Sequence, residues 1–501
     1  MKKLFILFLA VCLCLPLFAA CDSGETATET KVTTEVTTEV TSDATAEVTA
    51  EVTAEVTAEV TTDATTEVTA EVTTEKSSEE TTPNISIETV EKITDETTEK
   101  ADAETTEKIA EPEVEIPTTP SEGLEFVSNG NGTCYVKSAG TFTGERLVIP
   151  SYAPNGDKVT KIGEKAFSKC DSIQALFIPN TVNSIEERAF EYCSSLRRIT
   201  IEEASKLYSI GESAFINCVN LTQITLPKSL VTIEKEAFLT CYRLVEIVNY
   251  SSLEISRSNL NGYVGYYSIN VLNDGSRESG LIEKDGFLFC KKFSSDEYFL
   301  VSYLGGKGEV TLPTDINGEN YSIYNYAFYC SNDITKLTVN SGVTAINDYA
   351  FSTCKNLVEI DFSNSEKLTQ IGMSAFAKCE SLESLTFHKN LTLIYQLAFT
   401  ECKNLKSISF SENSNLYGIG AEAFKKCTSL EEITIPASTQ AIGSSAFKEC
   451  KALKSATFEN PEGWHLANSS QMIPSATLAN PEKAADELRI WLSSGWQRDT
   501  I

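Results

Sequence analysis

The phrase I-x-x-x-A-F-x-x-C recurs ten times between Ile162 and Phe458, and most copies are intact. Each copy is followed by a short segment in which apolar and polar residues alternate. A unit that repeats at a short period buries its apolar side chains by stacking on its neighbours. The repeat therefore predicts a solenoid in which each copy forms one rung.

The spacing of the copies indicates the lengths of the loops between rungs. The Ala-Phe pairs end at Phe167, Phe190, Phe215, Phe238, Phe328, Phe351, Phe376, Phe399, Phe424 and Phe447. Successive steps are 23, 25, 23, 90, 23, 25, 23, 25 and 23 residues, and the longer step takes its extra pair after the strand, as between Ile201 and Leu207. Loops absorb added length easily, so we expect the extra pair to bulge outward on every second rung.

The apolar pattern predicts a mainly β solenoid with one continuous core. Ile199-Thr200-Ile201 and Ile433-Thr434-Ile435 each place two residues inward and one outward, which is typical of a short strand. The Ile-x-x-x-Ala-Phe segment forms a second apolar side. We expect rungs over residues 161–250 and 326–458, separated by an aromatic insert with a degenerate rung at 251–325.

A solenoid needs its open ends covered, because a terminal rung exposes both core and strand edge. Residues 123–160 contain Asn129-Gly130-Asn131-Gly132 between alternating segments, which predicts a β-hairpin cap. At residues 459–501 the pair Asn480-Pro481 indicates a helix start. Ala485, Leu488 and Leu492 then give that helix an apolar side for a C-terminal helical cap.

The N-terminus has the features of an exported protein. Residues 1–20 combine Lys2-Lys3, an apolar stretch that is short for a membrane span, and a small-residue exit, which predicts a signal peptide. The following Cys21 resembles the lipidated cysteine of a bacterial lipobox, and that resemblance implies cleavage before Cys21 and attachment of a lipid anchor. Phe18 departs from the commoner leucine, and the alternative is ordinary cleavage that leaves a plain thiol.

Residues 21–122 form a run rich in Thr, Glu, Val and Ala with a four-residue period. Between residues 22 and 120 there are 27 acidic residues and five lysines, so most of the net charge of −30 belongs to this segment. Without aromatic residues it has almost nothing to bury, and its charges repel one another. We predict a disordered stalk that holds the repeat domain away from the membrane. The dense threonine leaves O-linked glycosylation open as an additional feature.

The cysteines and histidines give little support for catalysis or metal binding. Nine cysteines lie three residues after the motif phenylalanine, and Cys330 comes one residue early. No C-x-x-C motif occurs, and the only histidines are His388 and His465. We expect buried thiols that donate weakly to loop carbonyls, with cross-rung disulfides as the alternative. No nucleophile elbow or phosphate loop appears, so we predict no enzyme, no metal and no cofactor.

Two surfaces are candidates for ligand binding. The outward strand positions are mostly threonine, and the candidates among them are Thr200, Thr225, Thr338, Thr386 and Thr434; Phe177 would be the only aromatic side chain on this face. The insert contributes Tyr263, Tyr266 and Tyr267. Threonine is also favoured in strands in general, and the tyrosines could equally pack the insert onto the rungs. A purely structural role therefore remains an alternative to ligand binding for both sets.

The ten rungs, the leading hairpin and the tryptophan-bearing tail resemble the BspA-like leucine-rich repeat proteins of bacteria, also called the Treponema pallidum type. The resemblance covers about residues 123–496 and implies a leucine-rich-repeat surface lipoprotein. It further implies display at the cell surface and adhesion to proteins of a host, such as extracellular matrix, or of neighbouring cells, with the lipid anchor as the only membrane contact and no nucleic acid partner. The alternative is an envelope-associated scaffold or a glycan-binding module without catalysis.

Overall fold

The computed structural model describes residues 119–273, 278–469, 471–490 and 494–498. The predicted signal peptide, Cys21, the predicted stalk up to residue 118 and Leu492 lie outside the described residues. In the described part no helix is long and apolar enough to cross a membrane.

Each rung contributes two strands, and they build two separate parallel sheets. The predicted strand after each motif is present, and the isoleucine that begins the motif forms a second, two-residue strand in most rungs. In the first half of the repeat region the elements are β1 Glu125–Ser128, β2 Thr133–Ser138, β3 Arg146–Val148, β4 Lys158–Ile162, β5 Ala175–Ile178, β6 Ser184–Ile185, β7 Arg198–Ile201, β8 Ser209–Ile210, β9 Gln223–Leu226, β10 Thr232–Ile233, β11 Glu246–Asn249 and β12 Asn270–Leu272, with a 3-10 turn at Asn261–Tyr263.

These strands form sheet A1, in the order β1-β2-β4-β6-β8-β10, and sheet B1, in the order β12-β11-β9-β7-β5-β3. We call this the first block. The second block follows with the elements β13 Leu281–Lys284, β14 Phe287–Lys292, β15 Glu297–Tyr303, β16 Gly308–Thr311, β17 Tyr321–Ile323, β18 Ile334–Thr338, β19 Val343–Ile346, β20 Glu359–Asp361, β21 Gln370–Ile371, β22 Ser384–Phe387, β23 Leu393–Ile394, β24 Ser407–Phe410, β25 Gly418–Ile419, β26 Glu432–Ile435, β27 Ala441–Ile442, β28 Ser455–Phe458, β29 Trp464–Leu466, α1 Ser475–Leu478, α2 Pro481–Ile490 and β30 Trp496–Arg498.

The second block has its own pair of sheets. Sheet A2 runs β13-β14-β15-β17-β19-β21-β23-β25-β27-β30-β29, and sheet B2 runs β16-β18-β20-β22-β24-β26-β28. The two blocks have separate apolar cores. The predicted capped solenoid is confirmed, and the insert divides its buried apolar residues into two main clusters with a smaller cluster between them.

The predicted N-terminal hairpin is confirmed. Strands β1 and β2 pair antiparallel around the Asn-Gly turn, and β2 then pairs in parallel with β4, the first motif strand. Beside them β3 pairs in parallel with β5, so the first rung of each sheet in the first block is covered by a strand of the leading segment. The hairpin thus removes the exposed edge that a terminal rung would present.

The aromatic insert repeats this arrangement and begins the second block. Strands β14 and β15 pair antiparallel, β15 pairs in parallel with β17, and β16 pairs in parallel with β18. The two leading segments also share a sequence signal, since Asn155-Gly156-Asp157 and Asn317-Gly318-Glu319 stand at equivalent places. The predicted β-rich insert is therefore a second cap for a new stack of rungs.

A degenerate rung ends the first block. The amide of Phe238 donates to the carbonyl of Gly262, so this rung continues the turn pattern of its predecessor. Gly262 has a φ of 60°, and a Cβ there would lie 2.3 Å from the carbonyl oxygen of Glu234. Only glycine allows the two turns to approach so closely.

The stacked phenylalanines fill the cores as the motif predicts. Rings of successive rungs are nearly parallel, with centroids 5.1 Å apart for Phe190 and Phe215 and 5.0 Å apart for Phe351 and Phe376. The longer connections bulge as expected, since Glu203 and Ala204 are exposed.

The predicted helical cap covers the last rung. The side-chain oxygen of Asn480 accepts the amide of Lys483 at 3.1 Å, which caps the N-terminus of α2. Ala485 and Leu488 are buried in the core of the second block. Strands β29 and β30 were not anticipated, and β30 pairs antiparallel with β27 at the end of sheet A2.

Candidate functional site

The outward residues of sheet B2 form a polar column along seven strands. Thr386 Oγ1 and Ser409 Oγ lie 2.8 Å apart across neighbouring rungs. All members are exposed or half-buried; they are Thr311, Thr338, Asp361, Thr386, Ser409, Thr434 and Thr457. We call this set the hydroxyl column, because every member except Asp361 carries a hydroxyl group. Three of the predicted threonines, at 338, 386 and 434, belong to it.

The equivalent column of sheet B1 is shorter and more apolar. Thr200 and Thr225 are half-buried there, between Phe177 on one side and Val248 on the other. Phe177 is only 8% exposed, so the prediction of an aromatic side chain displayed on this face is wrong. Its strand neighbour Val148 is also buried, and apolar contact accounts for both residues. The structure therefore divides the five predicted threonines between two sheets.

Charged side chains next to the hydroxyl column largely pair with each other across rungs. Lys336 Nζ lies 2.9 Å from Glu359 Oε1, and a similar pair joins Lys454 and Glu431 at 2.8 Å. Exposed pairs of this kind contribute little stability, but they leave the sheet with no block of unpaired like charges. Polar complementarity and shape, more than net charge, would govern binding here.

The predicted tyrosines of the insert belong to a cluster at the boundary between the blocks. Tyr242 stacks on Tyr326 with centroids 4.0 Å apart, and Tyr326 stacks on Tyr349 at 4.9 Å. Tyr267 meets Tyr242 edge-on at 5.4 Å. The remaining contacts bring in Tyr263, Tyr266 and Tyr329.

A cleft of about 360 Å³ opens beside this cluster. Its aromatic lining consists of Tyr266, Tyr267, Tyr324, Tyr326 and Tyr349. Arg257, Asn325, Asp348 and Met373 complete it. We call this the tyrosine cleft. Of the predicted tyrosines, Tyr266 and Tyr267 line the cleft directly, whereas Tyr263 reaches it only through contact with Tyr266.

Burial disfavours ionisation of three of the cleft's tyrosine hydroxyl groups. Burial raises the pKa of Tyr267, Tyr326 and Tyr324 above the ordinary value for a phenol. Tyr324 is 7% exposed, and its hydroxyl donates to the carbonyl oxygen of Tyr267 at 3.1 Å. Tyr266 is the most open of the five, with 44% of its surface exposed. The walls of the cleft are thus formed largely by buried or half-buried aromatic rings.

Two charged residues line the same cleft. The guanidinium of Arg257 donates to the hydroxyl of Tyr324 at 3.3 Å. The carboxylate of Asp348 accepts the backbone amide of Met373 at 2.8 Å, and burial raises the pKa of this carboxyl group above its ordinary value. Among the described residues no lysine, arginine or histidine forms an ion pair with Asp348.

Sequence reasoning missed most of this cleft. Tyr326 and Tyr349 each stand directly before an Ala-Phe pair, where both have a positive φ. Their shared position on consecutive rungs was the available signal, because equivalent residues of a solenoid stack. Arg257 and Tyr324 carried no such signal, since folding of the insert alone brings them together.

The cysteine column is structural. Eight of the buried thiols donate to the carbonyl oxygen of the motif phenylalanine on the preceding rung, as Cys193 does to Phe167 at 3.1 Å. Burial raises the pKa of Cys193 and Cys354 to about 12. Within the described residues the buried cysteines of this column are thiols outside any disulfide, which agrees with the buried-thiol interpretation. Within the described ranges no three His, Cys, Asp or Glu side chains gather as a metal site.

The family follows from the repeat itself. A family model described as the BspA type leucine rich repeat region matches residues 152–271 and 321–454 in six copies, which is just over half of the chain. The chain belongs to the BspA-type leucine-rich repeat family. The two matched ranges fall on the rungs of the first and second blocks, and the predicted family is confirmed.

Several solved structures resemble this BspA-type chain. A leucine rich cell surface protein from Faecalibacterium prausnitzii is 22% identical, with 68% of this chain and 94% of that one covered and a TM-score of 0.32. The T. pallidum leucine rich repeat protein is 20% identical over 53% and 90% of the two chains, with a TM-score of 0.25. A leucine-rich repeat protein from Bacteroides capillosus is 31% identical over 23% and 86%, with a TM-score of 0.21. A comparison with curated proteins finds no match.

Membership of this family indicates the general kind of function. BspA-type proteins are cell-surface proteins, and leucine-rich repeat families typically bind other proteins without catalysing reactions. That this particular chain lacks catalytic activity stays a prediction.

Proposed function

We propose that this protein is an exported adhesion protein, anchored by lipid at Cys21 and displayed at the cell surface, that binds a protein of a host or neighbouring cell. In this proposal residues 21–122 act as the spacer and the two blocks act as the binding region. The sequence of residues 1–21 supports export and anchoring, and family membership supports protein binding.

The hydroxyl column of sheet B2 is the observation that most supports a binding surface there. The recurring Ile, Ala, Phe and Cys side chains of the rungs are almost all buried and explained by packing. The outward strand residues are the ones left accessible, and seven of them lie side by side without an interruption. Parallel rungs hold these side chains at a fixed repeat, which suits an extended protein segment.

The binding region is tested by retention of matrix protein. Purified protein that begins at residue 21 is immobilised through its N-terminus and exposed separately to extracellular matrix proteins and to wall polysaccharide. We expect retention of matrix protein and its loss in the double variant Thr386→Asp/Thr434→Asp, because covering two new carboxylates with a partner would cost their hydration.

Two matched variants locate the surface. Thr200→Asp/Thr225→Asp carries the same added charge on sheet B1, and Thr369→Asp places one carboxylate on an exposed loop away from the column. Loss of binding only in the sheet B2 variant supports the hydroxyl column, whereas equal loss in the sheet B1 variant places the partner elsewhere. Retention of polysaccharide alone rejects adhesion to protein and supports the glycan-binding alternative.

The anchor has an independent test. Cells that express the full chain are grown with radiolabelled palmitate, and the label is followed in the protein. We expect incorporation in the wild type and none in Cys21→Ser, since the thiol would carry the lipid. Incorporation that persists in Cys21→Ser contradicts an anchor at this residue.

A further inference from the structure

The tyrosine rings around the cleft are held in place by contacts with one another. Tyr326 is held between Tyr242 and Tyr349 by stacking, with interplanar angles of 8° and 1°. The edge of Tyr267 lies against both Tyr242 and Tyr326. Rings fixed in this way lose little conformational freedom on binding, which favours affinity. The cleft is also smaller than a folded partner requires, so it suits a single side chain or one small group.

Asp348 differs from the acidic residues at the same position of the first two rungs. Glu164 lies 2.8 Å from the Nζ of Lys165, and Glu187 lies 3.6 Å from the Nε of Arg188, so each of these carboxylates has a cation next to it in sequence. In the rung of Asp348 that neighbour is Tyr349. Glu212 holds the same position on the third rung and is followed by Ser213, but Glu212 is exposed, whereas Asp348 is half-buried and lines the cleft.

The cation already present in the cleft does not compensate Asp348. Arg257 is exposed, and its guanidinium is hydrogen-bonded to the hydroxyl of Tyr324. The hydrogen bond from the amide of Met373 satisfies one carboxylate oxygen of Asp348 but brings no full charge. Burying a carboxylate without a counter-ion is costly, and bringing a cation to it recovers that cost.

We propose that the tyrosine cleft receives a lysine or arginine side chain of the protein partner, with Asp348 as the ion-pair acceptor. The rings of Tyr267 and Tyr349 would contact the aliphatic stem and the cationic group, which aromatic faces attract. A neutral sugar ring would also stack on these rings, but it would leave the charge of Asp348 uncompensated. The proposal rests on the proposed function, since it names what part of a protein partner is recognised.

The test uses small probes on the full chain without residues 1–20. Binding of Nα-acetyl-lysine methylamide and Nα-acetyl-arginine methylamide is measured by saturation-transfer NMR, beside the norleucine analogue and methyl glucoside. We expect saturable binding of the two cationic probes in the millimolar range and none of the norleucine analogue. In Asp348→Asn we expect the affinity for the cationic probes to fall at least about tenfold.

Matched variants separate recognition from folding. Asp348→Asn keeps an oxygen that accepts the amide of Met373, so thermal stability is expected to change little. Glu187→Gln alters the equivalent position of a rung whose carboxylate is paired with Arg188, and we expect unchanged probe binding. Tyr349→Ser introduces the residue found at this position on the next rung, Ser374, and should weaken binding by removing one ring.

Several outcomes overturn the proposal. They are cationic probe binding that Asp348→Asn leaves unchanged, saturable binding of methyl glucoside with none of the cationic probes, or binding of no probe. The retention assay with matrix protein distinguishes this failure from failure of the proposed function. If matrix protein is retained equally by wild type and Asp348→Asn, adhesion stands and the cleft is not its site.

Discussion

At the scale of single residues, the cysteine of each rung combines three requirements. Its side chain is small enough for the interior, it fills space as an apolar group, and its thiol donates a weak hydrogen bond to a carbonyl of the rung before it. Cys379, for example, is fully buried and donates to the carbonyl oxygen of Phe351 at 3.2 Å. A buried thiol of this kind stays protonated, because the interior disfavours the thiolate.

This protonation predicts loss of stability at alkaline pH. Burial raises the pKa of Cys193 from an ordinary 9.0 to about 12, so above pH 9.0 the unfolded chain releases a proton that the folded chain keeps. The stabilising effect is complete below the unfolded pKa and is lost as pH rises through the folded value. Between these limits each such thiol lowers the free energy of unfolding by up to about 1.4 kcal/mol per pH unit.

Urea unfolding of the reduced protein at a series of pH values measures this slope. We expect Cys193→Ala to make the decline shallower than in the wild type. Cys170→Ala is the matched control, because Cys170 has the same place on the neighbouring rung but is only half-buried, and its effect should be smaller. Equal slopes in all three proteins would show that the thiols do not titrate on unfolding.

At the scale of elements, the rung is stabilised by its two neighbours. Phe376 stacks on Phe351 at 5.0 Å and on Phe399 at 5.2 Å, and it is fully buried. Backbone hydrogen bonds also join neighbouring rungs. The amide of Phe376, for example, donates to the carbonyl oxygen of Ala398 on the following rung. A rung therefore cannot lose its phenylalanine without weakening both interfaces.

Phe376→Ala is expected to lower the free energy of unfolding by about 3 to 5 kcal/mol, because it removes a ring from a closed core and leaves a cavity. Phe410 is the matched control: it packs on the same core from a partly buried position, so Phe410→Ala should cost less. Chemical denaturation followed by circular dichroism compares the two variants. Equal losses would mean that burial in the stack is not what makes the motif phenylalanine important.

At the scale of the whole repeat region, we expect the two blocks to unfold as separate units, because each has its own main apolar cluster. The core of the first block ends near Val264, and that of the second begins at Phe287. Between them lies a small cluster of buried residues made by Val245, Cys290, Val301 and Tyr324. The blocks are joined by this cluster, by the tyrosines and by hydrogen bonds of Asn270 with Lys291 and Phe293. We expect coupling through these contacts to be weaker than coupling within a block.

Hydrogen exchange measured by mass spectrometry tests this division. Phe190→Ala is expected to reduce protection in the strands of the first block, whereas Phe376→Ala should reduce it in the second, with little effect across the boundary. The two variants serve as controls for each other because they remove the same ring from equivalent rungs. Loss of protection over both blocks in either variant would indicate a single cooperative unit.

The periodic residues by themselves determined the rungs, the strands after each motif and the buried cysteines. Each of these depends on local pattern: alternation sets the faces of a strand, and a repeat places its equivalent residues in one column. The hairpin at Asn129 and the capped helix start at Asn480 followed from turn and capping chemistry in the same way. Fold class was predictable for this reason.

Only the tertiary structure decided where one stack of rungs ends and the next begins, and that the tyrosine cleft forms at this boundary. Whether the insert continues one solenoid or begins another depends on which strands pair across long sequence distances, and local pattern does not specify that. Pairing of β3 with β5 buried Phe177 beside Val148, and folding of the insert placed Tyr267 against Tyr326. Among the described residues it brought no cation into an ion pair with Asp348. Contacts between residues far apart in sequence produced the tyrosine cleft, because the repeat itself constrains only neighbours in the stack.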